Sequence, residues 1–213
     1  MATATVPVPD SEVPVEEWTI AVLGDRGVGK TFLARAFVFD SFLDMLPWQD
    51  ESPPFTKELL VDNRNCRIVI PDDYDSASEL DTAAPATQWL SPVQGILLIY
   101  SIDSRESFEH IRAIHAWAQR HASSARTTAV FVLAGNKADR GDPQRGARVV
   151  SKDEGAALAK ELQMECFLET SAKTAQNVFR VFPIVVRAAR AKKAEIEETE
   201  RRKRESKRRC VVM

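Results

Sequence analysis

The sequence predicts an α/β fold: a central, mostly parallel sheet of six strands with helices on both faces. Three observations carry this. Short apolar runs alternate along the chain with segments of helical spacing, the order from which layered sheets with crossover connections are built. Two of the runs, 95–101 and 129–134, are apolar almost throughout, as strands buried on both faces must be. At 213 residues the chain can fill one core, with little left for a second domain.

The elements follow in order. Residues 1–16 contain Pro7, Pro9 and Pro14 without hydrophobic period and read as a flexible arm. Residues 18–23 are a buried strand that breaks at Gly24, and 31–42 suit a helix. Residues 58–61 and 66–70 flank Asp62-Asn63-Arg64-Asn65, a strand–turn–strand pair. The stretch 71–87 is acidic, small and aperiodic, and reads as a loop. Between the two apolar runs, 104–121 has helical spacing at Phe108, Ile111, Ile114 and Trp117. Ser151-Lys152-Asp153-Glu154 is a capping box that opens a helix over 155–162. A brief strand at 166–168 precedes a terminal helix from about Gln176. That helix continues past Arg190 with Glu197/Arg201, Glu198/Arg202 and Glu200/Arg204 at i,i+4, where it is expected to fray into solvent. The organisation is thus an arm over 1–16, a domain over 17–190 and a charged tail over 191–213.

Net charge is only −2, but its distribution is uneven. From Arg201 to Arg209 seven basic residues stand against one acid, so this run carries +6 and the rest of the chain −8. Such end-loading points to an anionic membrane surface or nucleic acid. Cys66, Cys166 and Cys210 are too few and scattered for a disulfide framework, and none has metal-ligand spacing. Residues 1–17 lack the basic and apolar regions of a signal peptide, and no apolar run reaches membrane-spanning length, which together suggest a protein of the reducing cytosol.

Gly24-Asp25-Arg26-Gly27-Val28-Gly29-Lys30-Thr31 fits G-x-x-x-x-G-K-[ST] between a predicted strand and a predicted helix. Glycines let the backbone N–H groups turn inward on phosphate oxygens, and the helix N-terminus adds its dipole. Lys30 would neutralise the outer phosphates and Thr31 would ligate Mg²⁺. The alternative is a Gly-rich turn with a solvated lysine, and the loop alone does not separate GTP from ATP. Asn136-Lys137-Ala138-Asp139 follows the fifth strand. A carboxylate at Asp139 can accept two hydrogen bonds from guanine, which adenine does not offer, so an adenine there would leave it unpaired. Ser171-Ala172-Lys173 follows the sixth strand and could supply a backbone donor to the guanine oxygen.

With these segments at the carboxyl ends of successive strands, the chain over 18–190 resembles the Ras branch of the small GTPases. Tyr100-Ser101-Ile102, Ser107-Phe108-Glu109-His110-Ile111 and Glu169-Thr170-Ser171-Ala172-Lys173 carry that likeness further. The resemblance implies the small-GTPase form of the P-loop NTPase fold, GTP/GDP and Mg²⁺ as ligands, and protein exchange factors and effectors as partners of a monomer. It also implies a guanine contact at Phe42, for which a core phenylalanine is an equal alternative.

The resemblance fails where the family senses the γ-phosphate. The first switch segment should present a Thr, yet the only threonine between Thr31 and Asp81 is Thr56, at the start of a strand. Ser52 precedes a proline rather than following one. For the second segment, Asp72 fits by position after the third strand, while Asp81-Thr82-Ala83-Ala84 is nearer in letters. No glycine occurs between Gly29 and Gly95, so an Asp-x-x-Gly is impossible there. The residues following the two candidates, Ser76 and Pro85, cannot orient water as Gln does, and Gln88 lies too close to the next strand. Arg26 stands where the family has a very small residue, and either crowds the attacking water and an incoming arginine finger or points outward to the rim. The segment 45–57, which contacts effectors in the family, is acidic and proline-rich, so familiar effectors are not expected.

Cys210-Val211-Val212-Met213 is a C-a-a-X box of the farnesyl type. With the basic run from Arg201 to Arg209 as a second signal, it favours an anchor in anionic lipids on the cytoplasmic face of the plasma membrane over a nucleic-acid partner. Three function classes follow: a membrane switch with slow hydrolysis, a pseudo-GTPase interaction module, and an ATP-using enzyme, against which Asp139 counts.

Overall fold

The computed structural model describes residues 14–40, 54–71, 93–122, 129–141 and 148–210. Over these the chain forms β1 (Glu16–Leu23), α1 (Lys30–Phe39), β2 (Phe55–Val61), β3 (Arg64–Ile70), β4 (Gly95–Ser101) and α2 (Arg105–Ala122). Then come β5 (Val130–Asn136), a 3₁₀ turn (Ala138–Gly141), α3 (Lys152–Glu161), β6 (Cys166–Glu169) and α4 (Val178–Cys210). The sheet order is β2-β3-β1-β4-β5-β6. Every neighbouring pair is parallel except the β2–β3 hairpin. This is the expected α/β fold of the small-GTPase type.

Strand alternation divides the core in two. Ile20 and Val22 of β1 face α1 and α4, where Leu33, Phe37, Val181, Phe182 and Val185 are buried. Phe37 and Phe182 stack with ring centroids 4.2 Å apart. Ala21 and Leu23 face the other side, against Phe108, Ile111 and Ile114 of α2 and Leu158 of α3. Both faces of β4 are therefore covered, which is why its seven residues are all buried. The Ser151 capping box opens α3 as expected, with Glu154 accepting from the Ser151 amide at 2.8 Å.

Several boundaries differ from expectation for physical reasons. α1 ends at Phe39, three residues early, because Asp40 turns left-handed (φ 55°) and Lys57 from β2 donates to the Phe37 carbonyl at 2.7 Å. Phe42 lies outside the described residues. β2 starts at Phe55 because Phe55 continues the pairing to Ile70. The four-residue turn tightens to Asp62-Asn63, both at positive φ (53° and 61°), with Val61 opposite Arg64. Asp and Asn tolerate that conformation, which matches the twist of a two-residue hairpin. β5 runs through Asn136, so this residue is a strand residue and not part of the following turn. α4 starts at Val178 and, instead of fraying, stays helical to Cys210. Pro183 within it withholds the donor that the Phe179 carbonyl would have received.

The start of β1 is tied to α4. Arg190 donates to Glu16 at 2.7 Å and to Asp62 at 3.2 Å, while Arg64 and the Trp18 indole donate to Glu16 at 3.1 and 3.2 Å. Burial works against the Glu16 charge, but the donors from Arg190, Arg64 and Trp18 outweigh it and pull its pKa down from 4.5 to about 2. A depressed carboxylate contributes stability that is complete above the unfolded pKa and is lost as pH falls through the folded one. Between pH 4.5 and 2, therefore, Glu16→Gln should flatten the acid loss of stability. Because the Glu16 side chain is 29% exposed, the contribution is on the order of 1–2 kcal/mol, less than the full shift would give. Urea unfolding of both proteins across that range measures it, and parallel curves would refute the tie.

Candidate nucleotide-binding site

The loop from Gly24 to Thr31 joins the end of β1 to the start of α1. Two of its glycines are required by contact. A Cβ on Gly24 would meet the Ile99 carbonyl oxygen at 2.1 Å, and one on Gly29 (φ 100°) would meet the Asn136 side-chain nitrogen at 2.5 Å. Gly29 offers no side chain to cap α1, which leaves the positive end of the helix dipole for an anion. Val28 is buried, and the Lys30 ammonium folds back over the loop to donate to the carbonyls of Gly24 and Asp25, both at 3.0 Å. Thr31 is exposed in the first turn of α1.

Asp25 and Arg26 turn away from this cradle. Asp25 is held by His110 of α2, with Nδ1 3.1 Å from either carboxylate oxygen. Arg26 is exposed and lines a cavity of about 410 Å³ beside the loop, together with Glu106, His110 and Lys137. Of the two readings of Arg26, the rim position is the one found.

The second and third segments meet the first through one side chain. Asn136, 2% exposed, donates from Nδ2 to the Val28 carbonyl at 2.8 Å and accepts from the Thr170 hydroxyl at 3.1 Å. Two backbone bonds join the same strand ends, Ala138 N–H to the Thr170 carbonyl and Thr170 N–H to the Gly135 carbonyl. Asp139, in the 3₁₀ turn, accepts a hydrogen bond from the Ser171 hydroxyl, which fixes one carboxylate oxygen. The Ser171 amide donates to the Gln176 carbonyl, so the donor to a base carbonyl falls to Ala172, which is buried, or to Lys173. Lys137 takes positive φ (63°) and lies 3.8 Å from Asp103. Asp103 also pairs with Arg140 and accepts from the Ser101 hydroxyl. Burial opposes its charge, yet Ser101, Arg140 and Lys137 together hold its carboxyl below the usual range.

The fold thus brings together Gly24 to Thr31, Asn136, Lys137, Asp139, Ser171 and Ala172. Phe42, Ser52, Asp72, Asp81 and Gln88 lie outside the described residues. Thr56 is in β2, exposed, and donates to the Pro54 carbonyl at 3.3 Å. Among the described residues no cluster of three or more His, Cys, Asp or Glu is placed to hold a metal. Sequence reasoning missed Asp103, His110 and the role of Thr170. His110 and Thr170 lie in stretches that carry the family likeness, Ser107–Ile111 and Glu169–Lys173, but nothing in those letters gave their partners.

Removing a buried bridge leaves both of its partners unsatisfied. Asn136→Ala should lower stability by about 1–3 kcal/mol in urea unfolding, and Thr170→Val, which deletes only the outer partner, should cost less. Equal costs would separate Asn136 from the phosphate loop.

The sequence model of the Ras family matches residues 19–191. The chain is 33% identical to protein ras-2 of Neurospora crassa over 86% of this chain and 84% of that protein. It is 36% identical to protein ras-1 of the same fungus over 82% and 76%, and 31% identical to Ras-like protein RAS2 of Hydra vulgaris over 92% and 96%. A family match over most of the chain, together with relatives covering most of their own lengths, agrees with the phosphate loop and the guanine-reading segments: the chain belongs to the Ras family of small GTPases, the GTP-binding signalling proteins.

Proposed function

We propose that this protein is a lipid-anchored guanine-nucleotide switch whose GTP hydrolysis is slow. The observation that carries the nucleotide part is the Asn136 bridge between the loop and the base-reading strand ends, with Asp139 oriented by Ser171. Together they present phosphate-facing amides and a guanine-facing carboxylate in one frame. Mg²⁺, when bound, would neutralise charge on the outer phosphates. The Thr31 hydroxyl beside the phosphate loop fits that ion, which is held by few protein ligands with phosphates and waters completing its shell. Asp72 is the second expected ligand. Exchange factors and effectors are the partner classes this reading implies.

Slow hydrolysis rests on two features. The chain has no glycine between Gly29 and Gly95 and no Gln at the water-orienting position after Asp72 or Asp81. Arg26 is exposed at the rim and adds nothing to this case. Single-turnover GTP hydrolysis should therefore stay far below the roughly 5–20 per second of stimulated Ras proteins, with or without an activating protein. A rate in that range would overturn the reading. The same two features also favour a pseudo-GTPase module. Equal affinities for GTP and GDP, with and without Mg²⁺, would select that second reading, because a switch needs the γ-phosphate to bias its state.

The anchor rests on Cys210-Val211-Val212-Met213 and the adjoining basic run. Among the described residues no helix is long and apolar enough to cross a membrane, so attachment falls to the lipid and the charge. Farnesylated protein should bind vesicles containing phosphatidylserine, and Cys210→Ser should weaken partitioning at least about tenfold. Unchanged partitioning of that variant would refute the prenyl anchor.

A further inference from the structure

We infer that the outer part of α4, residues 191–210, is a rigid strut that holds the nucleotide-binding domain off an anionic bilayer, end-on, by up to about 30 Å at ~1.5 Å per residue. This deepens the lipid-anchored reading and rests on it.

Four observations meet here. The helix does not end where the core ends: it is unbroken from Val178 to Cys210, and residues 199–206 are exposed. Its backbone there is supported by its own charges. Glu198 pairs with Arg202 at 2.9 Å and with Arg201 at 2.8 Å, Glu200 pairs with Arg204 at 3.5 Å, and Lys192 pairs with Glu195 at 2.9 Å. Such pairs, one turn apart, stabilise a helix that has no tertiary contact.

The root of the strut is clamped. Arg187 reaches Asp62 at 2.9 Å, and Arg190 reaches Glu16 and Asp62 at 2.7 and 3.2 Å. Three elements, β1, the β2–β3 turn and α4, therefore fix the direction in which the helix leaves. It leaves beside the first residue of β1, whereas the phosphate loop follows the last. The nucleotide loops lie at the opposite end of the sheet from the strut. A cleft of about 1050 Å³ lies between the extension and the domain edge, with Glu17, Trp18 and Arg64 on one side and Lys193, Ile196 and Glu200 on the other. Ile196, partly buried, is the one large apolar residue that the extension brings to this cleft.

Charge is segregated along the axis, not around it. Residues 191–200 hold two lysines and four glutamates, and 201–209 hold seven basic residues and one acid. At about 100° per residue Arg201, Arg202, Lys203 and Arg204 already point in every direction around the helix, and Ile196 is the sole large apolar residue in 191–209. A helix that lies flat in the interface needs an apolar stripe and a polar one, and this segment has neither. Lying flat would also press the acidic collar against anionic headgroups. Standing upright keeps it beyond about one Debye length (~8 Å), with the basic tip and Cys210 at the surface.

The test uses full-length, farnesylated, GDP-loaded protein on supported bilayers with about a quarter phosphatidylserine, read by neutron reflectometry. The intact helix should give a water-rich gap of roughly 20–30 Å between bilayer and domain. The double variant Ala194→Pro, Ile196→Gly keeps the charge and should shrink the gap by more than half. A domain resting on the headgroups, or a gap unmoved by the double variant, overturns the strut. A solution measurement separates this from failure of the anchor. Spin labels at Thr56→Cys and Ser206→Cys, in unlipidated protein with Cys166 and Cys210 replaced by Ser, should give one narrow distance distribution by double electron–electron resonance. A broad distribution overturns the strut without touching the anchor. A narrow distribution with no bilayer binding, or with capture by RNA in place of vesicles, overturns the anchored reading and the stand-off with it.

Discussion

The carboxamide of Asn136 is the one group on which the geometry of the nucleotide site depends. Its nitrogen holds the Val28 carbonyl and its oxygen holds the Thr170 hydroxyl, so the phosphate loop and the end of β6 are joined through the end of β5. All three strand ends are buried at this point, where an unmade hydrogen bond costs its full desolvation. The constraint runs both ways. A side chain on Gly29 would strike the Asn136 nitrogen, so the loop glycine and the strand asparagine each require the other. Asp139 three residues on, and Ser171 one residue after Thr170, inherit their positions from that knot. Asp139 is therefore placed by the same interaction that shapes the loop from Gly24 to Thr31.

What could be read before any coordinates were known was whatever is local along the chain. The phosphate loop depends on glycines at fixed offsets, the strands on continuous apolar runs, and the α3 start on a capping box within four residues. The misread features depend on partners far away in sequence. α1 was extended to Phe42 because its apolar pattern continues, but Lys57, 20 residues from the Phe37 carbonyl it caps, ends it. Asn136 reads as the first residue after the fifth strand, while pairing with Ser101 of β4 keeps it in the strand. His110 lies 85 positions from Asp25, and nothing in Ser-Phe-Glu-His-Ile signals that its ring meets a loop carboxylate. The terminal helix was expected to fray because it is polar all round. The alternation of Glu and Arg is legible in the sequence, but not that it suffices to hold twenty more residues helical, with Arg201 on Glu198 in place of Glu197.

Asp25 and Arg26 put charge into the loop without filling it. Both are charged, and both occupy positions between the glycines that wrap the phosphates. Neither side chain is aimed into the cradle: one is tied to α2 and the other is exposed at the rim. The backbone amides and Lys30 are thus left in a phosphate-binding arrangement even though the loop is no longer small. Hydrolysis asks for more than that frame, because a water and a developing charge must be positioned outside it. The proposed slow hydrolysis concerns this outer layer, for which the sequence offers neither an Asp-x-x-Gly nor the glutamine that follows it.

The two ends of the sheet carry separate duties, and the ion-pair chemistry at each suits its duty. At the carboxyl ends, neutral hydrogen bonds through Asn136 and Thr170 are buried and close-fitting, which fixes loops to a tolerance that a nucleotide needs. At the amino ends, Glu16, Asp62, Arg187 and Arg190 form a partly exposed charged network. Exposed pairs of this kind add little to stability one by one. Their number and their origin in three different elements still determine where α4 points as it leaves the domain. A direction is what a helix that runs on past the core needs from its root. Because the Glu16 carboxyl is held near a pKa of 2, that direction persists across the whole physiological pH range, and the clamp acts as a fixed joint and not as a titratable hinge.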